Sequence, residues 1–263
     1  MLLNSRDTEV CMGEYGHHKT IEIVPMSDCC GLIAKLRPGA SELGLKEGDS
    51  VASIFIQTHL TGQIVEKDMA SGLGLPLNGS LMQYRIFPAY GLVKVPDYLT
   101  DGKDKVVLLQ GTGSVDVGAT DCQGIRIDHS QADRRPRRGD VVQTLGKSLR
   151  CVAFGGLINA VGYLSGKEEA TGDRFNANVL ALSRNVTFKG IINGPKDRFE
   201  EVLRFYAGER IELVINRTFG FEEADEALEC LLSGAHFGKV VVKVHSWTEL
   251  PLVSGCHVLD ISP

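Results

Sequence analysis

The chain lacks any apolar run near the roughly 18 residues that cross a bilayer, and its first ten residues, MLLNSRDTEV, lack the basic start and small-residue cleavage site of a secretory leader. Both absences predict a cytoplasmic protein with no membrane partner. The seven cysteines, Cys11, Cys29, Cys30, Cys122, Cys151, Cys230 and Cys256, contain no CxxC spacing. A four-cysteine structural zinc is therefore not written, and free buried thiols are expected. No GxSxG elbow occurs, so a Ser/His/Asp hydrolase is poorly supported. An excess of positive charge is also missing: 28 Lys+Arg against 33 Asp+Glu leave a formal charge of −5. That balance gives no general attraction to nucleic acid.

What is present is enough to build a core: 263 residues, 43% of them hydrophobic, with 30 Gly to supply turns. From Ile21 to Leu99 the chain reads as short β-rich runs, IEIVPM, CCGLIAKL, DSVASIFI, GSLMQYRIF and GLVKVP, broken by Gly and Pro. That spacing predicts a small barrel or sandwich. Gly39, Gly44 and Gly48 precede the third run, where tight corners are needed. VPDYLTDGKD ends the block as a polar connection.

KVVLLQGTGSV then reads as a buried strand entering a glycine-rich loop. Residues 116–140 break the pattern, with ten charged residues and no helical period, so no crossover helix is predicted there and poor order is expected. Order returns with TLGKSLRCVAF as a helix and LINAVGYL as a strand. DRFEEVLRFYAG reads as a helix capped by Asp197 and closed by Gly208, and ELVINRTFGF as a strand. A helix from about Glu222 to Ser233 and the strand KVVVKV follow, and the last residues form a tail. This alternation predicts an α/β fold.

The chief chemical motif is GTGSVDVG. After a strand, glycines let backbone N–H groups approach a pyrophosphate, yet Asp116 stands near where phosphates would sit. From the residues alone, a nucleotide loop and an ordinary strand-ending turn both remain open. RRPRR at 134–138 could neutralise a 2′-phosphate or be a solvated loop. His17 and His18 with Cys11, Cys29 and Cys30 make a poor zinc site, because adjacent side chains project differently. Ser27 with Asp28 fits a turn into the strand at Leu32.

NSRDTEVCMG, VPMSDCCGLIAKLRPGASELGLKEGDSVA, GLVKVPDYL, VVLLQGTGSV, SLRCVAFGGLINAVGYLSG, VLALSRNVTFKGIINGPKDRFE and ALECLLSGAHFGKVVVKV, in that order, resemble the medium-chain dehydrogenase/reductase superfamily, nearest its zinc-type alcohol dehydrogenase-like, quinone oxidoreductase-like branch. The resemblance implies a GroES-like β-rich catalytic domain over 1–99, N-terminally incomplete. A truncated Rossmann-type parallel sheet over 105–210 would follow, then a segment over 211–244 returning to the catalytic domain and a tail over 245–263. It implies hydride transfer between NADP or NAD and the carbonyl or activated alkene of a small molecule. Gly111, Thr112, Gly113 and Ser114 would approach the pyrophosphate, with Gly162, Tyr163 and Leu164 near the nicotinamide. Asn4 and Asp7 would line the substrate cleft, and Ser5 and Ser27 are candidate proton donors. Zinc-using relatives carry a cysteine where this chain has Asn4 or Ser5, and His-Glu where it has Ser27 and Asp28, so no zinc is expected. A homodimer is compatible with the family. An accessory enoyl reductase of a biosynthetic pathway and a non-catalytic remnant are the alternatives, and the chain reads as a cut version of its relatives.

Overall fold

The computed structural model describes residues 1–15, 22–99, 145–160, 176–211 and 213–244. A short helix, α1 (Ser5–Cys11), is followed by three strands, β1 (Cys30–Leu32), β2 (Ser50–Ser53) and β3 (Leu92–Lys94). They form an antiparallel sheet in the order β1-β2-β3, with Ala52 opposite both Cys30 and Val93. Gly39, Gly44 and Gly48 all take positive φ, as the tight corners before β2 required.

Two of the expected runs form no strand among the described residues. In IEIVPM, Pro25 has no N–H to give a ladder, and Glu22 and Met26 take φ of 66° and 69°. GSLMQYRIF instead lies against that irregular segment: Ser80 N–H donates to the Met26 carbonyl at 2.7 Å and Leu81 N–H to that of Pro25 at 3.2 Å. Propensity proposed two ladders, and the backbone made one irregular turn-on-turn contact.

The second part holds α2 (Leu145–Cys151), β4 (Leu157–Ala160), α3 (Ala177–Arg184) and β5 (Thr187–Gly190). β4 and β5 pair in parallel. Leu149, Val152 and Ile158 form their core, with Leu180 and Val186 against it. Of the expected strand LINAVGYL, only Leu157–Ala160 lies within the described residues. Residues 116–140 and the C-terminal tail lie outside them.

The helix α4 (Lys196–Glu209) packs on the antiparallel sheet of residues 1–99. Phe199, Leu203 and Tyr206, on one helical face, meet Ala52, Ile54, Val93, Val95 and Leu99. Asp197 is not its cap. Pro195 holds that position, and Asp197 lies in the first turn, where its carboxylate accepts the Thr61 hydroxyl at 2.6 Å. Nor does Gly208 close the helix, which continues to Glu209 and ends on Arg210 at φ 48°. The Tyr98 hydroxyl donates to the Tyr206 carbonyl at 2.7 Å, adding a bond from outside the helix to an acceptor that the Arg210 and Ile211 N–H groups also reach. Truncating Leu203 to Ala should cost about 2–5 kcal/mol, since its buried side chain joins helix to sheet; urea denaturation measures it.

β6 (Ile215–Gly220), α5 (Ala224–Leu232) and β7 (Lys239–Lys243) form a βαβ unit with parallel strands. Val240 and Val242 pack with Phe219, Ala227 and Leu231, and Leu3 and Met26 join the same cluster. The start of the chain runs along β7: Leu3 N–H donates to Val240 O at 3.1 Å and Val242 N–H to Met1 O at 2.9 Å. Leu2 also bridges to Asp28. β7 thereby fixes the entry of α1 and holds it beside the turn at Ser27 and Asp28.

The five cysteines among the described residues are free but not buried as expected. Cys11 and Cys151 are exposed, and Cys29, Cys30 and Cys230 are half-buried. Short elements with one covered face leave these positions near the surface.

Candidate functional site

Asn4 starts α1 in an extended conformation, and its carbonyl accepts the Asp7 N–H at 2.8 Å. Its own backbone N–H donates to Asp7 Oδ2 at 2.8 Å, while its side-chain amide donates to Asp28 Oδ2 at 2.9 Å. One residue thus ties together two carboxyl groups from separate segments. Asp7 is 0% exposed and Asp28 6%. Between them in the constellation is Ser27, buried as well, whose hydroxyl favours the charged form of Asp28. The partners determine the geometry of the whole cluster.

Burial dominates the electrostatics. It pushes the Asp7 carboxyl up to about 7, opposed by the Asn4 N–H, reinforced by the Asp28 charge and opposed by Arg6. Burial likewise pushes Asp28 up to about 6, opposed by the Asn4 amide and by Lys239. Lys239, at the start of β7, is pushed down by burial and held up by Asp28 and Asp7. Moving a carboxylate into a poorly polarisable surrounding costs its charged form the solvation of water, and the hydrogen bonds from Asn4 and Ser27 return only part of it.

Arg6 is committed elsewhere. Its guanidinium donates to the carbonyls of Leu73 at 3.1 Å and Leu75 at 2.8 Å, and lies over the rings of Tyr15 and Phe55 at 4.6 and 4.8 Å. It braces α1 against residues 73–75 and leaves the carboxyls without an ion pair. Behind the turn, the buried Ser80 hydroxyl donates to the Met26 carbonyl at 3.2 Å, and Met26 is held at a left-handed φ just before Ser27.

The candidates from sequence divide accordingly. Asn4, Asp7 and Ser27 come together, with Asp28. Asp7 is fully enclosed, so it lines no cleft directly and touches Asn4 instead. Ser5 points to solvent on the exposed side of α1. Gly111, Thr112, Gly113, Ser114, Gly162, Tyr163 and Leu164 lie outside the described residues, as do His17, His18 and the arginines at 134–138. Sequence reasoning missed Arg6, Ser80 and Lys239. Arg6 sits inside the quoted NSRD, but nothing local shows that a lysine more than two hundred residues away faces the same carboxyls.

The donor set does not fit a catalytic zinc. Neutral Asn4 and Ser27 are weak ligands, the Asn4 amide is spent on Asp28, and no group of three His, Cys, Asp or Glu side chains converges among the described residues.

Residues 2–97 match the alcohol dehydrogenase GroES-like domain, and residues 126–242 match a zinc-binding dehydrogenase domain. The two matches follow one another along most of the chain, with residues 98–125 between them. It belongs to the medium-chain dehydrogenase/reductase superfamily. Within that superfamily it is an alcohol dehydrogenase-like protein. A zinc-type alcohol dehydrogenase-like protein of Schizosaccharomyces pombe is 25% identical over 307 aligned residues, covering 92% of this chain and 88% of the relative. That alignment is longer than the chain itself, so the yeast relative carries internal segments without a counterpart here. A putative alcohol dehydrogenase from Sinorhizobium meliloti shares the fold with TM-score 0.69 at 21% identity, covering 93% of this chain and 88% of the other. A structure titled NAD-dependent alcohol dehydrogenase gives 0.64 at 19% identity, with 93% and 89% covered. The α/β class and the GroES-like unit read from sequence agree with these matches.

Proposed function

We infer that this medium-chain dehydrogenase/reductase protein is a zinc-independent oxidoreductase that transfers hydride from NADH or NADPH to the carbonyl or activated alkene of a small molecule. The observation that carries the reading is the Asn4-bridged carboxyl pair, which occupies the place of a metal-ligand set with groups that bind protons rather than zinc. The cofactor supplies the hydride; the chain supplies orientation and the proton. Asn4, half-buried at the start of α1, is the polar group best placed to hold a substrate oxygen, and Asp28 holds the Asn4 amide in position. The family supports a nicotinamide cofactor, with Gly111, Thr112, Gly113 and Ser114 toward the pyrophosphate and Gly162, Tyr163 and Leu164 toward the nicotinamide. The reading further takes the protein as cytoplasmic, with no nucleic-acid partner, and compatible with a homodimer.

Affinity for the cofactor is expected to be low. Residues 114–143 are shorter and more charged than a run of Rossmann elements, and Asp116 adds a negative charge beside two phosphates. A loss of about 4 kcal/mol raises a dissociation constant roughly a thousandfold, from micromolar to millimolar. Isothermal titration with NADH and NADPH checks this, and micromolar binding of either would contradict it. Turnover of a panel of aldehydes, ketones and enones, undiminished by a chelator and with no stoichiometric zinc by elemental analysis, is the expected result for the whole reading. One zinc per chain would overturn its metal-free part. Absence of turnover at saturating cofactor would favour the non-catalytic remnant, a reading that the internal segments lacking relative to the yeast protein support.

A further inference from the structure

Asp68 contrasts with the enclosed Asp7 and Asp28, because its carboxyl loses little solvation and its donors outweigh what it loses. Asp68 has both oxygens occupied: the Thr58 hydroxyl donates to Oδ1 at 2.7 Å and the Val65 N–H to Oδ2 at 3.1 Å. Those donors hold it below the ordinary carboxylate range, the Thr58 hydroxyl foremost. Asp7 is different. Its Oδ2 accepts the Asn4 N–H, but its Oδ1 is buried with no hydrogen-bond partner. An ionised carboxylate is an acceptor on every lone pair, and an empty, enclosed oxygen is where a charged form is least stable. Asp28 lies one residue's reach away, joined through the same Asn4.

The surrounding charges do not relieve the pair. From α1, Arg6 faces both carboxyls but spends its guanidinium on Leu73 and Leu75, and Cys11 faces Asp7. From β7 comes Lys239, itself largely enclosed. The Met1 amino group and the Cys29 thiol face Asp28, and the Met1 amine donates to the Val242 carbonyl. From α5, Asp225 faces Cys11 and adds only negative charge. No described Lys or Arg lies within ion-pair distance of either carboxyl, the described pairs being Lys94–Asp49, Lys196–Glu200 and Arg198–Glu201. Two enclosed, like-charged groups linked through one residue, by the backbone N–H and the side-chain amide of Asn4, and lacking an ion pair do not both ionise at neutral pH.

We propose that Asp7 and Asp28 together hold a single proton at neutral pH, coupled through Asn4, and so form a proton-binding site at the base of the α1 turn. The proton enters from water through the more exposed member, Asp28, and resides on Asp7, whose Oδ1 has no hydrogen-bond partner; the backbone of Ser27 beside it favours the charged form, but less than burial opposes it. This goes beyond the oxidoreductase reading and does not depend on it: the site binds its proton in the free protein, with no nicotinamide present.

The test uses the full chain without cofactor. Infrared spectroscopy of protein carrying 13C-labelled aspartate reads the protonated-carboxyl band from about pH 5 to about pH 9 in wild type, Asp7→Asn, Asp28→Asn and the double variant. Expected are one protonated carboxyl at pH 7 in wild type, none in the double variant, and at least a tenfold weaker proton affinity of the remaining carboxyl in each single variant. Circular dichroism verifies folding. If either single variant does not fold, the wild-type titration decides alone, by whether one or no carboxyl band is present at pH 7. No band at pH 7, two bands at pH 7, or single variants that titrate like wild type would each overturn the proposal. Failed turnover would overturn the oxidoreductase reading while leaving the band intact, so the two are told apart.

Discussion

Raising the pH from about 5 to about 8 will lower the folding stability of this protein by on the order of 3 kcal/mol through Asp7 and Asp28, and Asp7→Asn will remove most of that slope. The sign follows from the direction of the shifts. Both carboxyls are pushed up by burial, to about 7 and about 6, from an ordinary value of 3.8. Between about pH 4 and pH 7 the folded chain therefore keeps protons that the unfolded chain has released. Stability falls as pH rises wherever the native state binds more protons. Above about pH 8 both states are ionised and the full penalty of the enclosed charge is present. One pKa unit corresponds to about 1.4 kcal/mol, so a three-unit shift sets the scale even after allowance for coupling within the pair. Asparagine in place of Asp7 keeps an oxygen to accept the Asn4 N–H and carries no charge at any pH. The variant should be less pH-dependent and, near pH 8, more stable than wild type. Chemical denaturation at constant ionic strength measures both curves, and parallel curves for wild type and variant would refute the assignment.

Gly79→Ala should cost about 3 kcal/mol or more, the largest loss expected from adding a single methyl group. A Cβ on Gly79 would lie inside contact distance of the carbonyl oxygens of both Pro25 and Met26. These are backbone atoms, fixed by Ser80 N–H on Met26 O and Leu81 N–H on Pro25 O, so they have nowhere to retreat. The displaced segment carries Met26 into Ser27 and Asp28, and the carboxyl pair should loosen with it. Gly44→Ala is the control. Gly44 takes a positive φ, of 76°, whereas Gly79 does not, and nothing lies within 4 Å of the Gly44 Cβ position, so only the conformational cost of about 1 kcal/mol remains. Equal losses for the two variants would show that close approach at Gly79 is not what the structure depends on.

The difference between these two glycines also shows how far a sequence can be read. Gly39, Gly44 and Gly48 stand before an apolar run where only corners fit, and the corners are there. The faces of α4 and α5 and the strand β7 were legible for a similar reason, since periodicity is a local property and burial follows it. IEIVPM and GSLMQYRIF were misread because β propensity rewards residue types, whereas a proline and two left-handed residues decide whether a ladder can form. Asp197 and Gly208 were misassigned within a helix that was itself correctly found, because helix ends depend on what lies outside the helix: here the His59 and Leu60 carbonyls at one end and Tyr98 at the other.

By itself, the sequence determined the family, the α/β class and the presence of Asn4 or Ser5, Ser27 and Asp28 where zinc-using relatives carry ligands, with Asp7 close by, because these are matters of residue type and order along the chain. Tertiary structure alone decided what those four residues are to one another. β7 carries the chain start past Asp28, Asn4 then reaches both carboxyls, and Lys239 arrives from the far end of the chain. The proton affinity of a carboxyl depends on the water it has lost and the charges beside it, and neither is a property of its neighbours in sequence.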